Sequence, residues 1–259
     1  MIVDLHNHTT LCNHAEGSID AYIQKAIKGG TKYFGFSDHA PMDFDKKYRM
    51  SFSQMQEYEK SVLDAKERYK DEIEILLGYE VDFIDGYMDK RVLNADIDYL
   101  IGSVHFIDGW GFDNPEFIGK YVDADIDEIW QKYFDTIEKM AKSKLFDIVG
   151  HLDLIKVFKF MPKKNVVDIA KNALLAIKES NMVIELNVAG YRKPIGEAYP
   201  SFELLKEAYK LNIPITFGSD AHKSEQVGLF DDKIVKFAKD IGYKECVFFK
   251  KRKINFINI

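Results

Sequence analysis

At 259 residues and 46% apolar composition the chain can bury a full core; it suits one α/β barrel or two small domains, and a single domain over 1–259 is the preferred reading. Its formal charge of −6 argues against broad binding to a nucleic-acid backbone, and no run of about 20 apolar residues is present to span a membrane. Two cysteines and no charged-then-apolar leader fit a reducing, cytoplasmic setting better than a secreted scaffold.

In chain order, Ile2 to Leu5 reads as a short apolar strand and Thr9 to Ser18 as a polar turn, so His6, His8 and His14 fall where a strand runs out. Alternate side chains of a strand share a face, which sets His6 beside His8 with Asn7 turned away, and two imidazoles so placed can hold one metal ion. Cys12 lies among them, but a thiolate would favour a closed structural zinc site over an open hydrolytic one, so it is set aside. "KYFGFSDH" ends at His39. The next stretch puts Met55, Tyr58, Val62, Ala65 and Tyr69 on one helical stripe, behind serines and glutamines that suit a capping box.

"IEILLGYEVDF" then carries Glu80, "DYLIGSVHFI" carries His105, and "FDIVGH" ends at His151. Asn165 suits the N-cap of a helix with Val166, Ile169, Ala170, Ala173, Leu174 and Ile177 on one face. "MVIELNV" brings Glu185 and Asn187, "IPITFGSDAH" ends in Asp220 and His222, and the basic "KKRK" at 250–253 reads as a solvated terminal segment.

Strand-like and helix-like runs alternating without a linker imply a parallel sheet, and seven strand candidates point to a barrel. All seven histidines lie at or just past a predicted strand end, or in the loop after the first. In a parallel barrel those ends open on one face, so residues distant in sequence converge there. Glu80 and Asp220, at strand ends in "GYEVDF" and "GSDAH", belong with the histidines as metal-binding carboxylates.

The ordered set "HNH", "NH", "SDH", "GYE", "GSVH", "GH" and "GSDAH" resembles the polymerase-and-histidinol-phosphatase (PHP) superfamily, over nearly the whole chain. The resemblance implies an α/β fold, a distorted TIM-like (β/α)7 barrel, with up to three divalent metal ions at the C-terminal mouth of the strands. By that likeness His6, His8, Glu80 and Asp220 would hold the first ion. Glu80 would bridge to a second, held also by His105 and His151, and His14, His39 and His222 would hold a third. Imidazole-plus-carboxylate sites accept zinc, iron or manganese, with availability often deciding. Three such ions would leave the site at about +4, a trap for a phosphate dianion.

The implied chemistry is phosphomonoester hydrolysis by in-line attack of metal-bound hydroxide, with Glu80, Asp220 and His222 as catalytic residues. Asp220, His222 or a metal-bound water would stand nearest the leaving group. Longer phrases, "FSDHAPM", "GSVHFIDGWGFDNPEF", "GHLDLIK" and "ELNVAGYRKPIGEAYPS", resemble histidinol-phosphate phosphatases, which implies conversion of L-histidinol phosphate to L-histidinol and phosphate in histidine biosynthesis.

Arg192, after the sixth strand, could reach the mouth and make a two-pronged phosphate contact, and Lys156 could add a second positive charge, with Lys193 a weaker candidate. Asp43, Asp45, Asp108, Asp113 and Glu197 are the acids available to the amine and imidazole of the substrate, and Trp110 and Phe112 are candidate pocket walls. Three rival readings remain. A phosphoesterase acting on nucleotides or nucleic-acid ends is disfavoured by the net acidity. An amidohydrolase barrel would carry a bridging lysine on the fourth strand, where "YLIGSVH" has none. A non-catalytic metal scaffold would be expected to have lost ligands.

Overall fold

The computed structural model describes residues 1–259. Each apolar run becomes a buried strand: β1 (Val3–Asp4), β2 (Tyr33–His39), β3 (Glu74–Asp82) and β4 (Tyr99–Ser103). A short antiparallel hairpin, β5 (Phe106–Ile107) and β6 (Trp110–Gly111), follows, and then β7 (Ile148–Val149), β8 (Val183–Asn187) and β9 (Ile215–Gly218). Leaving the hairpin aside, these make one seven-stranded parallel sheet in the order β1-β2-β3-β4-β7-β8-β9.

The sheet curls until its first strand meets the chain leaving its last. The Leu5 amide donates to Phe217 O at 2.9 Å, the Asp220 amide to His6 O at 2.7 Å and the His8 amide to Ala221 O at 3.0 Å. Asp4 locks this seam by accepting from the amide and hydroxyl of Ser219, at 2.9 and 2.6 Å. The fold is thus a nearly closed α/β barrel of seven strands.

Helices α1 (Ile19–Lys28), α2 (Met55–Arg68), α3 (Lys90–Leu93), α4 (Ile126–Ser143), α5 (Val166–Glu179), α6 (Phe202–Lys210) and α7 (Asp231–Ile241) connect the strands. The Ser51–Gln54 capping box precedes α2, which buries Tyr58, Val62 and Ala65. Asn165 caps α5 by accepting from the amides of Val167 and Asp168. Both helices start where the sequence pattern sets them. No helix is long and apolar enough to cross a membrane.

Inside the barrel Val3, Leu5, Leu76, Tyr99, Ile101, Ile148, Val183, Ile215 and Phe217 pack as one cluster. Tyr99 fits because Gly35 lacks a Cβ, which would lie 2.1 Å from its hydroxyl; that hydroxyl instead donates to Leu5 O at 2.6 Å.

The "KKRK" segment departs from expectation. It is the turn of an antiparallel hairpin, β10 (Glu245–Lys250) and β11 (Lys253–Asn258), whose Val247, Phe248 and Phe249 join the barrel cluster. Phe248 stacks on Tyr33 with centroids 3.7 Å apart. Lys250 pairs with Glu74 at 3.0 Å, Lys251 with Asp96 at 2.6 Å, and Arg252 with Asp147. Those acids stand where β3, β4 and β7 begin, so the basic turn caps the end of the barrel opposite the histidines.

Candidate active site

The strand ends deliver their side chains to one point, with Glu80 at its centre. In the β2–β3 register His39 lies directly across from Glu80, and its Nδ1 is 2.9 Å from Glu80 Oε2. The same oxygen is 3.3 Å from His6 Nε2 and 3.7 Å from His8 Nε2. The other, Oε1, is 2.9 Å from His151 Nε2 and 3.6 Å from His105 Nε2, and accepts from the Ser103 hydroxyl at 2.7 Å.

Asp220 Oδ1 lies 3.3 Å from His8 Nε2 and 4.0 Å from His6 Nε2. Nearer the surface, His14, His39 and His222 form a third group, the His14 ring centred 4.6 Å from His222 and 5.3 Å from His39. The structure therefore brings all nine expected ligands together. Asn7, turned away from them, donates to Asp4 Oδ1 and Gly35 O. Cys12 is close to His8 and His222, but burial and Asp38 push its thiol up, which leaves it a weak ligand.

A divalent cation fits this donor set. His6 Nε2, His8 Nε2, His39 Nδ1 and Glu80 Oε2 are buried without a hydrogen bond, although buried polar atoms nearly always find one. The opposite ring nitrogens are held by carboxylates, His6 Nδ1 by Glu185 at 2.7 Å, His8 Nδ1 by Asp38 at 3.4 Å and His105 Nδ1 by Asp82 at 2.6 Å. Such partners fix the tautomer and aim the free nitrogen at a metal. Sequence reasoning assigned none of the three a role.

The electrostatics divide the site in two. Burial alone would lower His6, His8 and His105, but the carboxylates outweigh it: Glu185 and Glu80 raise His6, Asp220 and Asp38 lift His8 to about 9, and Asp82 lifts His105 to about 10. Glu80 and Asp220, surrounded by imidazoles, are held well below the usual carboxylate range despite their burial. The carboxylates of the floor thus favour cations, whether protons or metal ions. In the outer group burial prevails, pulling His39 to about 4 and lowering His14 and His222, so these three stay in the neutral form that ligates metals.

A cavity of about 510 Å³ opens above this floor. Arg192 lines it; its Nη2 donates to Ser219 O and Asp220 O at 2.8 Å, and its Nη1 is buried without a partner. Lys193 lines it as well. Lys156, expected beside the phosphate, does not. It is fully buried behind the wall, with its ammonium against Asp153 at 2.9 Å, Glu197 at 2.8 Å and Ala198 O at 2.8 Å. An ammonium has three protons, so none is left for substrate.

Among the acids, Asp45 and Asp113 line the cavity. Asp43 accepts from the Tyr87 hydroxyl, Asp108 pairs with Lys132, and Glu197 is held by Lys156. Trp110 and Phe112 belong to the outer core, and Phe106, Phe117, Tyr48 and Tyr199 form the aromatic part of the wall instead.

Comparison with known proteins places this geometry among relatives. The PHP domain model matches residues 4–189 and the PHP-associated model residues 203–231. A Deinococcus radiodurans protein named "Probable histidinol-phosphatase" is 37% identical, covering 98% of each chain. The histidinol-phosphatase of Bacillus subtilis is 28% identical, with 87% of this chain and 95% of that one aligned. Among solved structures, the histidinol phosphate phosphatase of Lactococcus lactis, complexed with zinc, L-histidinol and phosphate, superposes with a TM-score of 0.80 at 22% identity, covering 98% of each chain. That likeness establishes the barrel.

Proposed function

This chain belongs to the PHP family, and from that premise we propose that it is a metal-dependent phosphomonoesterase hydrolysing L-histidinol phosphate to L-histidinol and phosphate, a step of histidine biosynthesis. The observation that carries the chemistry is Glu80, a buried carboxylate with imidazoles around both oxygens and one oxygen bare. The substrate rests on relatives of nearly full length named for it. We read 1–259 as one catalytic domain, because β9 near its C-terminal end leads into Asp220 and His222.

In this reading His6, His8, Glu80 and Asp220 hold one divalent ion, Glu80, His105 and His151 a second, and His14, His39 and His222 a third, the ions being zinc, iron or manganese. When bound, they supply Lewis acidity toward the phosphoryl group and make water acidic near neutral pH. The remaining work belongs to the chain. Asp38, Asp82 and Glu185 keep the rings aimed, and Ser103 fixes the Glu80 carboxylate. Arg192 offers Nη1 to the phosphate while Nη2 steadies the turn that carries Asp220. Asp220 and His222, both only part-buried at the mouth, would orient a water molecule that gives its proton to the departing alkoxide and is left as hydroxide. Asp113 gives the cavity a carboxyl group without an ion-pair partner for the cationic end of the substrate, whereas Asp45 is held by Arg49 at 2.9 Å.

The test is phosphate release from L-histidinol phosphate by protein loaded separately with zinc, iron and manganese, beside nucleoside monophosphates and an oligonucleotide, with metal content measured. Selective turnover of histidinol phosphate is the expected result. Turnover of nucleotides alone would keep the site and replace the substrate.

A further inference from the structure

Arg192 Nη1 is not the only donor on the cavity wall that lacks a partner. Tyr199 also lines the cavity, and its hydroxyl, in a residue only 1% exposed, makes no hydrogen bond. The ring stands edge-on to His151, with centroids 6.4 Å apart. A buried polar group without a partner costs free energy, and at a ligand site the absent partner is the ligand.

The local structure holds this phenol firmly. The chain leaving β8 turns through Arg192 and returns so that Tyr199 pairs with Asn187, the Asn187 amide donating to Tyr199 O at 2.7 Å and the Tyr199 amide to Asn187 O at 3.0 Å. The loop closes tightly because Gly190 has no side chain; a Cβ there would lie 2.0 Å from Glu197 O. From behind, Lys156 grips Glu197 and Ala198 O and sits 5.3 Å from the Tyr199 ring centre. Arg192 and Tyr199 are thus carried by one braced loop, each presenting a free donor.

The geometry points to the Tyr199 hydroxyl as a catalytic residue that donates to a phosphoryl oxygen of the substrate, on the His105–His151 side of the site and together with Arg192 Nη1. This inference rests on the phosphomonoesterase reading, but not on histidinol being the alcohol. A neutral phenol donates one proton. It therefore discriminates phosphate from the imidazole-bearing end only by where it stands, which is beside the floor of the site.

The experiment is Tyr199→Phe in the zinc-loaded protein. Loss of one hydrogen bond to an anion should lower kcat/KM on histidinol phosphate by roughly 10- to 100-fold and weaken inhibition by inorganic phosphate by a similar factor. Inhibition by L-histidinol should not change. Metal content should hold, and Tm should stay level or rise, because an unpaired buried hydroxyl has been removed. Undiminished kcat/KM, a loss that falls on L-histidinol instead of phosphate, or a loss that tracks metal content would overturn the assignment. Calorimetry of inorganic phosphate binding to wild type and variant separates the two readings. Weaker binding by the variant supports Tyr199 even if histidinol phosphate is not hydrolysed, and equal binding rejects it.

Discussion

Glu80 is shared between two groups of imidazoles, so its removal reaches further than that of any single histidine. Glu80→Ala should abolish phosphate release and lower metal content, as metal analysis of the purified variant would show; full turnover with unchanged metal would contradict a shared ligand. Lys156 offers the opposite test. Its partner Asp153 is as buried as it is, and stripping the cation from a buried pair costs about 3–5 kcal/mol, so Lys156→Ala should unfold at clearly lower urea while keeping its metals. A shift under about 1 kcal/mol would show the clamp to be idle.

The convergence of the seven histidines with Glu80 and Asp220 was legible because each of these residues ends or follows an apolar run, and parallel strands carry such ends to one face. The carboxylates behind them were not, since Asp38, Asp82 and Glu185 lie 30, 23 and 179 residues from the rings they hold. One local signal existed: Glu80 and Asp82 alternate along β3, so they share a face. Lys156 misled because closeness to His151 in sequence says nothing of direction. The 3-10 turn Leu154–Lys156 sets Leu154 on the cavity and sends the lysine behind the wall.

The elements were legible in proportion to the strength of their local pattern. All seven barrel strands read as apolar runs, and α2 and α5 announced both their caps and their buried stripes. The β10–β11 hairpin did not. A two-residue turn of this kind needs two left-handed residues, usually Asn-Gly, yet here Lys251 and Arg252 adopt φ of 49° and 62°. Tertiary contacts hold them there, the Lys251 amide donating to Asp98 Oδ1 at 3.0 Å and the Arg252 amide to Asp98 O at 2.8 Å. Basic residues in a turn carry no hairpin signal in sequence. Because the hairpin packs beneath the barrel, Phe248→Ala should cost about 3–5 kcal/mol in chemical denaturation and leave kcat unchanged below the unfolding range. A fall in kcat without a fall in stability would mean that the two ends of the barrel are coupled.

For the whole molecule, proton and metal compete for the same atoms. His8 and His105 have folded values of about 9 and about 10 against a usual 6.5, so the metal-free fold binds their protons more tightly than the unfolded chain does. Their contribution to stability is therefore full below about 6.5 and is lost as pH rises through about 9 to 10. A metal must displace those protons, so zinc affinity should increase from about pH 7 to about pH 9 and binding should release protons. Competition with a chromophoric chelator at both pH values measures this; a flat affinity would show that the floor histidines are already neutral before loading.

The seam that closes the barrel joins Asp4 to Ser219, residues 215 apart in sequence. His6 and His8 stand on one side of it, Asp220 and His222 on the other, so an ion bound as proposed would tie the two ends of the chain together. Without that ion the seam keeps its backbone hydrogen bonds and the Asp4–Ser219 pair, so the fold closes before any metal arrives. Loading then adds a second fastening to a ring that the chain has already shut.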